Sequence, residues 1–227
     1  MNRIALLAPL AFVLASGAAA SLGIDPVRDR IIADAKLQSP ASLAFDRTTH
    51  VVQVGGGSRT EIHRVDRWDG KSWSLISLNG KPPTDAEIKE QAKATLSQPV
   101  PGYHRLAGLL ATATESSIDA QGRTVLVIPQ LPAKTIVNDG TDISPHLKAE
   151  AVIATSNGQP WVQQLRLKAR EPFKMSWVLK VMTFDQVSEY KLDAGGKPRL
   201  ASQSADSQGT MFGISGGQKS DTTYAYR

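Results

Sequence analysis

A serine flanked by glycines lies close to the carboxyl end of the chain. The segment Gly213-Ile214-Ser215-Gly216-Gly217 matches the G-x-S-x-G pattern of a nucleophile elbow. Such an elbow needs a strand before it, a helix after it, and an acid and a histidine later in the chain. No histidine follows Ser215 in this sequence. The segment is therefore interpreted as a Gly/Ser-rich loop between two terminal strands, and Ser215 is not expected to act as a nucleophile.

Metal ligands are the second kind of side chain that could do chemistry here. The chain has no cysteine, and its four histidines are His50, His63, His104 and His146. None of them forms an H-x-x-x-H or H-E-x-x-H pattern. The best cluster is NDGTDISPH, in which Asp139, Asp142 and His146 share one loop and could meet a divalent cation. The same residue types make up ordinary turns, so we predict a turn, with no metal and no cofactor.

Two further patterns could bind an anion. Gly55-Gly56-Gly57-Ser58 follows a plausible strand, but it lacks the Gly-Lys-Ser/Thr of a P-loop and no helix follows it. A hairpin turn or a loop is the favoured interpretation. His104-Arg105 could face a substrate anion, because the arginine fork fits oxyanions, but the pair is also typical of a solvated helix N-terminus. No enzymatic activity is predicted from these patterns.

The segment RVDRWDGKSWSLISLNGKPPTDAEIKEQA, which begins at Arg64, combines acidic, aromatic and turn-forming residues. Asp69-Gly70 is a strong hairpin signal that joins two strands. Asn79-Gly80 and two prolines end the second strand, and Thr84 to Glu87 form a capping box that opens a helix. Its aspartates lack the acidic series and terminal Glu of a calcium loop. We therefore interpret the segment as architecture rather than as a binding loop.

Alternation of apolar and polar residues between turn signals predicts antiparallel strands along most of the chain. The expected strands are 50–54, 61–68, 72–78, 123–128, 147–154, 161–169, 174–184, 186–192, 199–204, 210–214 and 222–226. Helices are few: one is TDAEIKEQAKATLS, and the other is YHRLAGLLATA, which places three leucines on one face. Since no β-α-β-α alternation is present, the fold class is α+β.

The first residues predict export. MNR, the apolar run IALLAPLAFVLASG and the segment AAAS form the three regions of a signal peptide, with Ala18 and Ala20 at the −3 and −1 positions. We expect cleavage after Ala20 and a periplasmic mature protein. The expected organisation is a signal peptide over 1–20, an N-terminal lead-in over 21–40, and a single domain over 41–227.

Net charge, apolar segments and cysteine content limit the partners and the kind of fold that the sequence predicts. The formal net charge is +5 without a run of Lys and Arg, so nucleic acid is not an expected partner. After the signal peptide, the sequence shows no segment long and apolar enough to cross a membrane. Without cysteine, the fold has to depend on its core rather than on disulfides.

The apolar face of the late strands is informative about function. In KMSWVLKVMTF, the side chains of Met175, Trp177, Leu179 and Val181 share one face of a strand. The two predicted helices are too small to cover all of the apolar face of the sheet. The sheet therefore either encloses an ordinary core or leaves a cavity for an apolar ligand.

The signal peptide, the early helices, the long meander strands and the aromatic end DTTYAYR together resemble the periplasmic lipoprotein-carrier superfamily, the LolA/LolB-like half-barrels. The segment RVDRWDGKSWSLISLNGKPPT is also similar to exported proteobacterial proteins of unassigned function. The resemblance covers residues 42–227 in the order and spacing of elements. It implies one strongly curved antiparallel sheet, a half-barrel, with two or three helices on its concave face. It also implies a hollow that binds acyl chains or lipid-anchored proteins without catalysis.

We expect a non-enzymatic periplasmic carrier that holds an acyl chain, a lipid or a lipoprotein between sheet and helices. The alternative is an exported structural or interaction module that docks on a cell-envelope partner through a sheet edge or an aromatic strand. A large empty cavity favours the carrier, and a packed interior with an exposed apolar patch favours the module. The apolar residues expected to line the ligand site are Leu106, Leu109, Leu110, Trp161, Leu165, Trp177, Leu179 and Val181.

Overall fold

The computed structural model describes residues 24–95, 100–138 and 141–227. The expected signal peptide over 1–20 lies outside these residues, as does Asp139 of the loop considered for a metal. Within the described part, antiparallel strands predominate and three α-helices accompany them, so the α+β class and the antiparallel sheet are confirmed.

The elements have the following bounds. The helices are α1 (Ile24–Lys36), α2 (Asp85–Thr95) and α3 (Leu106–Leu110). The strands are β1 (Phe45–Gly55), β2 (Ser58–Trp68), β3 (Trp73–Leu78), β4 (Glu115–Ile118), β5 (Thr124–Ile128), β6 (Val137–Asn138), β7 (Thr141–Asp142), β8 (Leu147–Ser156), β9 (Gln159–Ala169), β10 (Phe173–Lys174), β11 (Leu179–Leu192), β12 (Pro198–Met211) and β13 (Ile214–Tyr226). None of the described helices is long and apolar enough to cross a membrane.

One large open sheet contains nearly all of these strands. Its order is β3-β2-β1-β13-β12-β11-β9-β8-β5-β4, with β10 paired to β11, while β6 and β7 form a separate ribbon. Strands β3 and β4 are the two edges. The last strand, β13, lies between β1 and β12, so it joins the first hairpins to the rest of the sheet.

Two-residue turns set the register of the hairpins. Gly56-Gly57 joins β1 to β2, Asn157-Gly158 joins β8 to β9, and Phe212-Gly213 joins β12 to β13. Both central residues have positive φ in each turn, which matches the right-handed twist of the flanking strands. The expected strand over 210–214 is therefore wrong, because the chain reverses direction inside it. The strands expected over 174–184 and 186–192 also differ from the structure, since β11 runs continuously from one into the other.

The main core involves the sheet together with α1 and α3. Ile31 and Ala35 of α1 are fully buried in the same apolar cluster as Tyr103, Leu106 and Leu110. The segment over 21–40, which we expected to be a lead-in, thus contains a helix that contributes to the core. The helix expected from YHRLAGLLATA is shorter than the pattern indicated, with a single 3-10 turn before α3.

A second cluster of aromatic residues lies at the start of β1. Phe45 is fully buried there, and its ring centroid is 5.6 Å from that of Trp73 and 5.5 Å from that of Tyr224. Such edge-to-face contacts are the preferred arrangement of aromatic rings. Tyr224 also packs against the main cluster, so the two clusters share this side chain.

Many side chains are exposed at the end of the sheet that carries the β1–β2 and β12–β13 turns. The β1–β2 turn, the β12–β13 turn and the loop before β11 lie together there, because Gly216 pairs with both Gly55 and Gly209, and Gly209 pairs with Val181. We call residues 54–59, 174–182 and 208–216 the distal end.

Candidate interaction surface at the distal end

The residues expected to line a ligand site fall into two groups. Those in or against the main cluster are Leu106, Leu109, Leu110, Trp161, Leu165 and Val181. Among them, Leu106, Leu110 and Leu165 are buried, so their side chains fill the space beside the sheet as core residues. Trp177 and Leu179 are not part of this cluster and lie at the distal end, to which Val181 also belongs, and Trp177 is 89% exposed.

The distal end presents a cluster of exposed apolar side chains. Leu179 pairs with Met211, and Met211 pairs with Ile214, so these three side chains share one face of the sheet. Met211 is 53% exposed and Ile214 is 58% exposed. Exposed clusters of apolar side chains are typical of interaction surfaces.

Two aromatic rings form the outermost part of this patch. The ring of Trp177 meets that of Phe212 edge to face, with centroids 5.7 Å apart, and Phe212 is 68% exposed. The loop that carries Trp177 is held in place by hydrogen bonds. The Ser176 hydroxyl accepts from the backbone N–H of Leu179 at 3.1 Å, and the N–H of Phe212 donates to the Val178 carbonyl at 3.0 Å. The rings are thus presented by an ordered loop and an ordered turn.

The backbone of Phe212 is unusual for a bulky residue. Its φ is +51°, a conformation that Asn and Gly adopt easily and that is uncommon for an aromatic residue. Asn157 occupies the corresponding position in the β8–β9 turn with the same φ. Backbone strain of this kind clusters at functional sites.

The charge of the distal end has a single sign. Its three segments contain Arg59, Lys174 and Lys180 and no Asp or Glu. Lys174 and Lys180 are exposed and directly opposite each other in the β10–β11 pair, an arrangement of like charges that is destabilising. In the described part of the chain, the lysines that form ion pairs are Lys93, Lys148 and Lys219. The two opposed cations are therefore without an acidic partner there and fit an external anion.

The remaining candidates for chemistry have structural roles. Ser215 lies within β13 opposite Thr210, rather than in the loop that we expected. The Asp142 carboxylate accepts hydrogen bonds from the Ser144 hydroxyl and the Lys134 N–H, and these bonds lower its pKa. The His146 ring stacks on Phe173 at 4.5 Å. The described residues of this segment belong to the β6–β7 ribbon and to a 3-10 turn over Ser144–His146, and the turn predicted at 139–140 lies outside the described residues.

Most of the exposed apolar residues of the distal end were not predicted from the sequence. Trp177 and Leu179 were predicted to line a ligand pocket, and Met211, Phe212 and Ile214 were not expected to be functional. The available signal was weak: Gly213 lies between two long alternating runs, but Phe212 before it is not among the residues typical of a two-residue hairpin turn. No protein-family model and no curated protein matches the chain.

Proposed function

We propose that this protein is a non-catalytic binding protein of the cell envelope that docks on a surface of anionic lipid headgroups through its distal end. The observation that carries the proposal is the exposed aromatic pair, Trp177 and Phe212, beside the opposed cations Lys174 and Lys180. This proposal is related to the interaction module expected from the sequence, but that module docks on an envelope protein, whereas the partner proposed here is a lipid surface. The signal peptide expected over 1–20 would deliver it to the periplasm, where envelope membranes supply such a surface.

The chemistry of a membrane interface suits each part of the distal end. Tryptophan is enriched at the headgroup level of membranes, because its amphipathic ring suits the boundary between water and the acyl chains. Phe212, Met211 and Ile214 lose water-exposed apolar area when they enter the acyl boundary. Each lysine near an anionic leaflet contributes about 1 kcal/mol of attraction. Lys174 and Lys180 would also be relieved of their mutual repulsion by the headgroups.

Vesicle binding tests this proposal. Purified full-length mature protein is mixed with vesicles of neutral lipid alone and with vesicles that contain anionic lipid, and the bound fraction is measured by cosedimentation. We expect binding to the anionic vesicles, reduced about tenfold or more in Lys174→Glu/Lys180→Glu because roughly 2 kcal/mol of attraction is lost. A wild-type protein that binds neither kind of vesicle would contradict the proposal and point to a protein partner.

A pair of variants separates binding from folding. Phe212→Asn places in the turn a residue that tolerates its φ of +51°, so the protein should stay as stable as wild type or become more stable while vesicle binding falls. Ile118→Ser is the matched control, because Ile118 is an equally exposed apolar residue on β4. If Ile118→Ser weakens binding as much as Phe212→Asn, the distal end is not the docking surface.

A second candidate function is the carrier expected from the sequence, with the sheet as a half-barrel around the helices. A groove of about 670 Å³ beside α1 supports it, with Leu37, Trp161 and Leu192 among its lining residues. Within the described chain, the buried Trp161 Nε1 and Gln38 Oε1 in this groove have no hydrogen-bond partner. A polar head of a bound ligand could satisfy both.

Native mass spectrometry of protein purified from its own periplasm tests the carrier. It should show a co-purifying lipid that solvent extraction removes. A clean apo mass, together with no uptake of a fluorescent fatty acid, would contradict the carrier.

A further inference from the structure

Ligand-type side chains lie together on the face of β1 and β2 that is opposite the core. Phe45 and Arg47 of β1 point into the core, so His50, an odd number of residues further on, lies on the other face. His50 pairs with His63 of β2, and Glu61 lies on the same face as His63 because it is two residues away. On the other side of β1, Asp221 of β13 pairs with His50.

The His50–His63 pair is of the kind that brings side chains closest. The N–H of His63 donates to the Asn79 side chain at 2.9 Å, and the His63 carbonyl accepts from the Asn79 N–H at 2.7 Å. Since both backbone groups of His63 point away from β1, its pair with His50 is non-hydrogen-bonded, with the shorter separation between strands. The two imidazole rings accordingly stack with centroids 4.1 Å apart and planes within 10°.

The nitrogens of both rings approach one carboxylate oxygen. The distance from Glu61 Oε1 is 2.6 Å to His50 Nε2 and 3.5 Å to His63 Nε2. The other oxygen of Glu61 is 3.4 Å from the Arg59 guanidinium, which leaves Oε1 to the histidines. All three ligand atoms lie within 4.8 Å of one another.

We propose that His50, Glu61 and His63 form a binding site for a divalent transition-metal ion of the zinc class. Bonds of about 2.0–2.2 Å from zinc to nitrogen and oxygen place tetrahedral ligands about 3.3–3.5 Å apart. The His63–Glu61 distance already has this value, and the His50–Glu61 hydrogen bond has to widen by less than about 1 Å as the metal replaces its proton. The two stacked rings also have to rotate about their side-chain bonds, because a bound metal lies in the plane of each imidazole. The three side chains are between 34% and 58% exposed, so an ion enters from solvent without rearrangement of the fold.

The fourth ligand position is open to water. Asp221 is outside the group of atoms within 4.8 Å of one another and reaches this position only by a change of rotamer. In the sheet, Asp221 is directly opposite His50 on the same face, and directly opposed Cβ atoms are about 4.5–5.5 Å apart. Two imidazoles and a carboxylate with one further position are a donor set that zinc uses widely in proteins. This proposal does not depend on lipid docking, because neither the histidines nor Glu61 belong to the distal end.

Zinc titration of the untagged, chelator-treated mature protein tests the site. Isothermal titration calorimetry should give one Zn²⁺ ion per chain, and His50→Ala and His63→Ala should each weaken binding by at least about tenfold. Asp221→Asn should weaken it less, and His146→Gln, which alters a histidine outside the cluster, should leave it unchanged. Because a ligand of the folded state raises apparent stability, Zn²⁺ should also raise the urea midpoint of wild type and not of the double variant His50→Ala/His63→Ala.

Two outcomes would overturn the metal site. One is the absence of saturable Zn²⁺ binding to the wild-type protein, which would reduce the cluster to a hydrogen-bonded pair of histidines around Glu61. The other is equal affinity in wild type and in the double variant, which would place the ion elsewhere. Circular dichroism of each variant checks that a loss of Zn²⁺ affinity is not caused by unfolding. Exposed positions such as these should tolerate substitution.

Discussion

Asp66 of β2 is a charged residue in the interior of the fold, and its burial requires partners for the carboxylate. Its carboxylate is fully buried and accepts hydrogen bonds from the guanidinium groups of Arg47 and Arg64 and from the amide of Gln91. Gln91 belongs to α2, so the carboxylate ties this helix to the sheet. The Arg47 guanidinium also lies over the Trp73 ring at 4.2 Å. A buried charge is tolerated only when it is paired and hydrogen-bonded in this way.

Asp66→Asn should therefore be strongly destabilising. Removal of one member of a buried ion pair leaves the other charge uncompensated and typically costs about 3–5 kcal/mol. Asp69→Asn is the matched control, since the Asp69 carboxylate lies in the β2–β3 turn and accepts N–H groups of Lys71 and Ser72 that an amide oxygen also accepts. Urea unfolding of both variants at neutral pH measures the difference. Equal stability of the two variants would show that Asp66 does not hold the network.

Asp46 of β1 should make the free energy of unfolding decrease at acid pH. Its hydrogen bond with the Arg67 guanidinium, aided by Arg227, lowers the pKa of Asp46 from 3.8 to about 2. A carboxyl with a depressed pKa in the folded state contributes stability that is present above pH 3.8 and is lost as pH falls toward 2. The advantage of wild type over Asp46→Asn should thus shrink across this window. Unfolding measured at several pH values checks it, and a constant difference would contradict the role of the ion pairs.

Among the elements, the β11–β12 hairpin is shaped by glycine. A Cβ on Gly209 would lie 2.5 Å from the Lys180 carbonyl oxygen, and one on Gly216 would lie 2.7 Å from that of Val54. The two glycines are paired with each other next to the register shift between Val181 and Thr183. The strands can approach this closely only because side chains are missing at both positions.

Gly209→Ala should destabilise the protein by about 1–3 kcal/mol, because the added methyl group forces the backbone of β11 to move. Gly108→Ala gives the contrast. Gly108 is exposed in α3 with no atom within 4 Å of an added Cβ, so alanine should be neutral or stabilise by up to about 1 kcal/mol. Thermal unfolding compares the two. A neutral Gly209→Ala would mean that the close approach of the strands is not required.

At the scale of the whole molecule, the two apolar clusters should unfold as one unit. Tyr224 packs against both of them, and β13 joins the first hairpins to the strands of the main core. Helix α1 is part of this unit, because Ile31 and Ala35 are fully buried.

Ile31→Ala in α1 tests the coupling between the clusters. The substitution should cost about 2–5 kcal/mol, and its effect should appear equally in the second cluster. With Trp161 and Trp177 replaced by Phe, fluorescence arises from Trp68 and Trp73 alone. The urea midpoints from fluorescence and from far-UV circular dichroism should shift together. A fluorescence midpoint that stays unchanged would show two independent units.

Local signals in the sequence predicted the elements correctly where one short pattern decides the outcome. The capping box at Thr84 is present, with the Thr84 N–H donating to the Glu87 carboxylate at 2.6 Å, and α2 begins at Asp85. The Asp69-Gly70 and Asn79-Gly80 turns end strands as expected. The prediction failed at Phe212-Gly213, because phenylalanine is not a residue from which a type I′ turn is expected.

By itself, the sequence determined the fold class, the antiparallel strands and most turns, since each depends on residues that are neighbours in the chain. Only the tertiary structure decided which strands are adjacent. The pairing of β13 with β1 and β12 sets Asp221 beside His50 and groups the distal turns at one end of the sheet. It also separated Trp177 from Leu106, two residues that we expected to line one pocket. The physical reason is that the apolar pattern of a strand specifies which of its faces is buried, whereas the strand beside it is selected by the packing of the whole core.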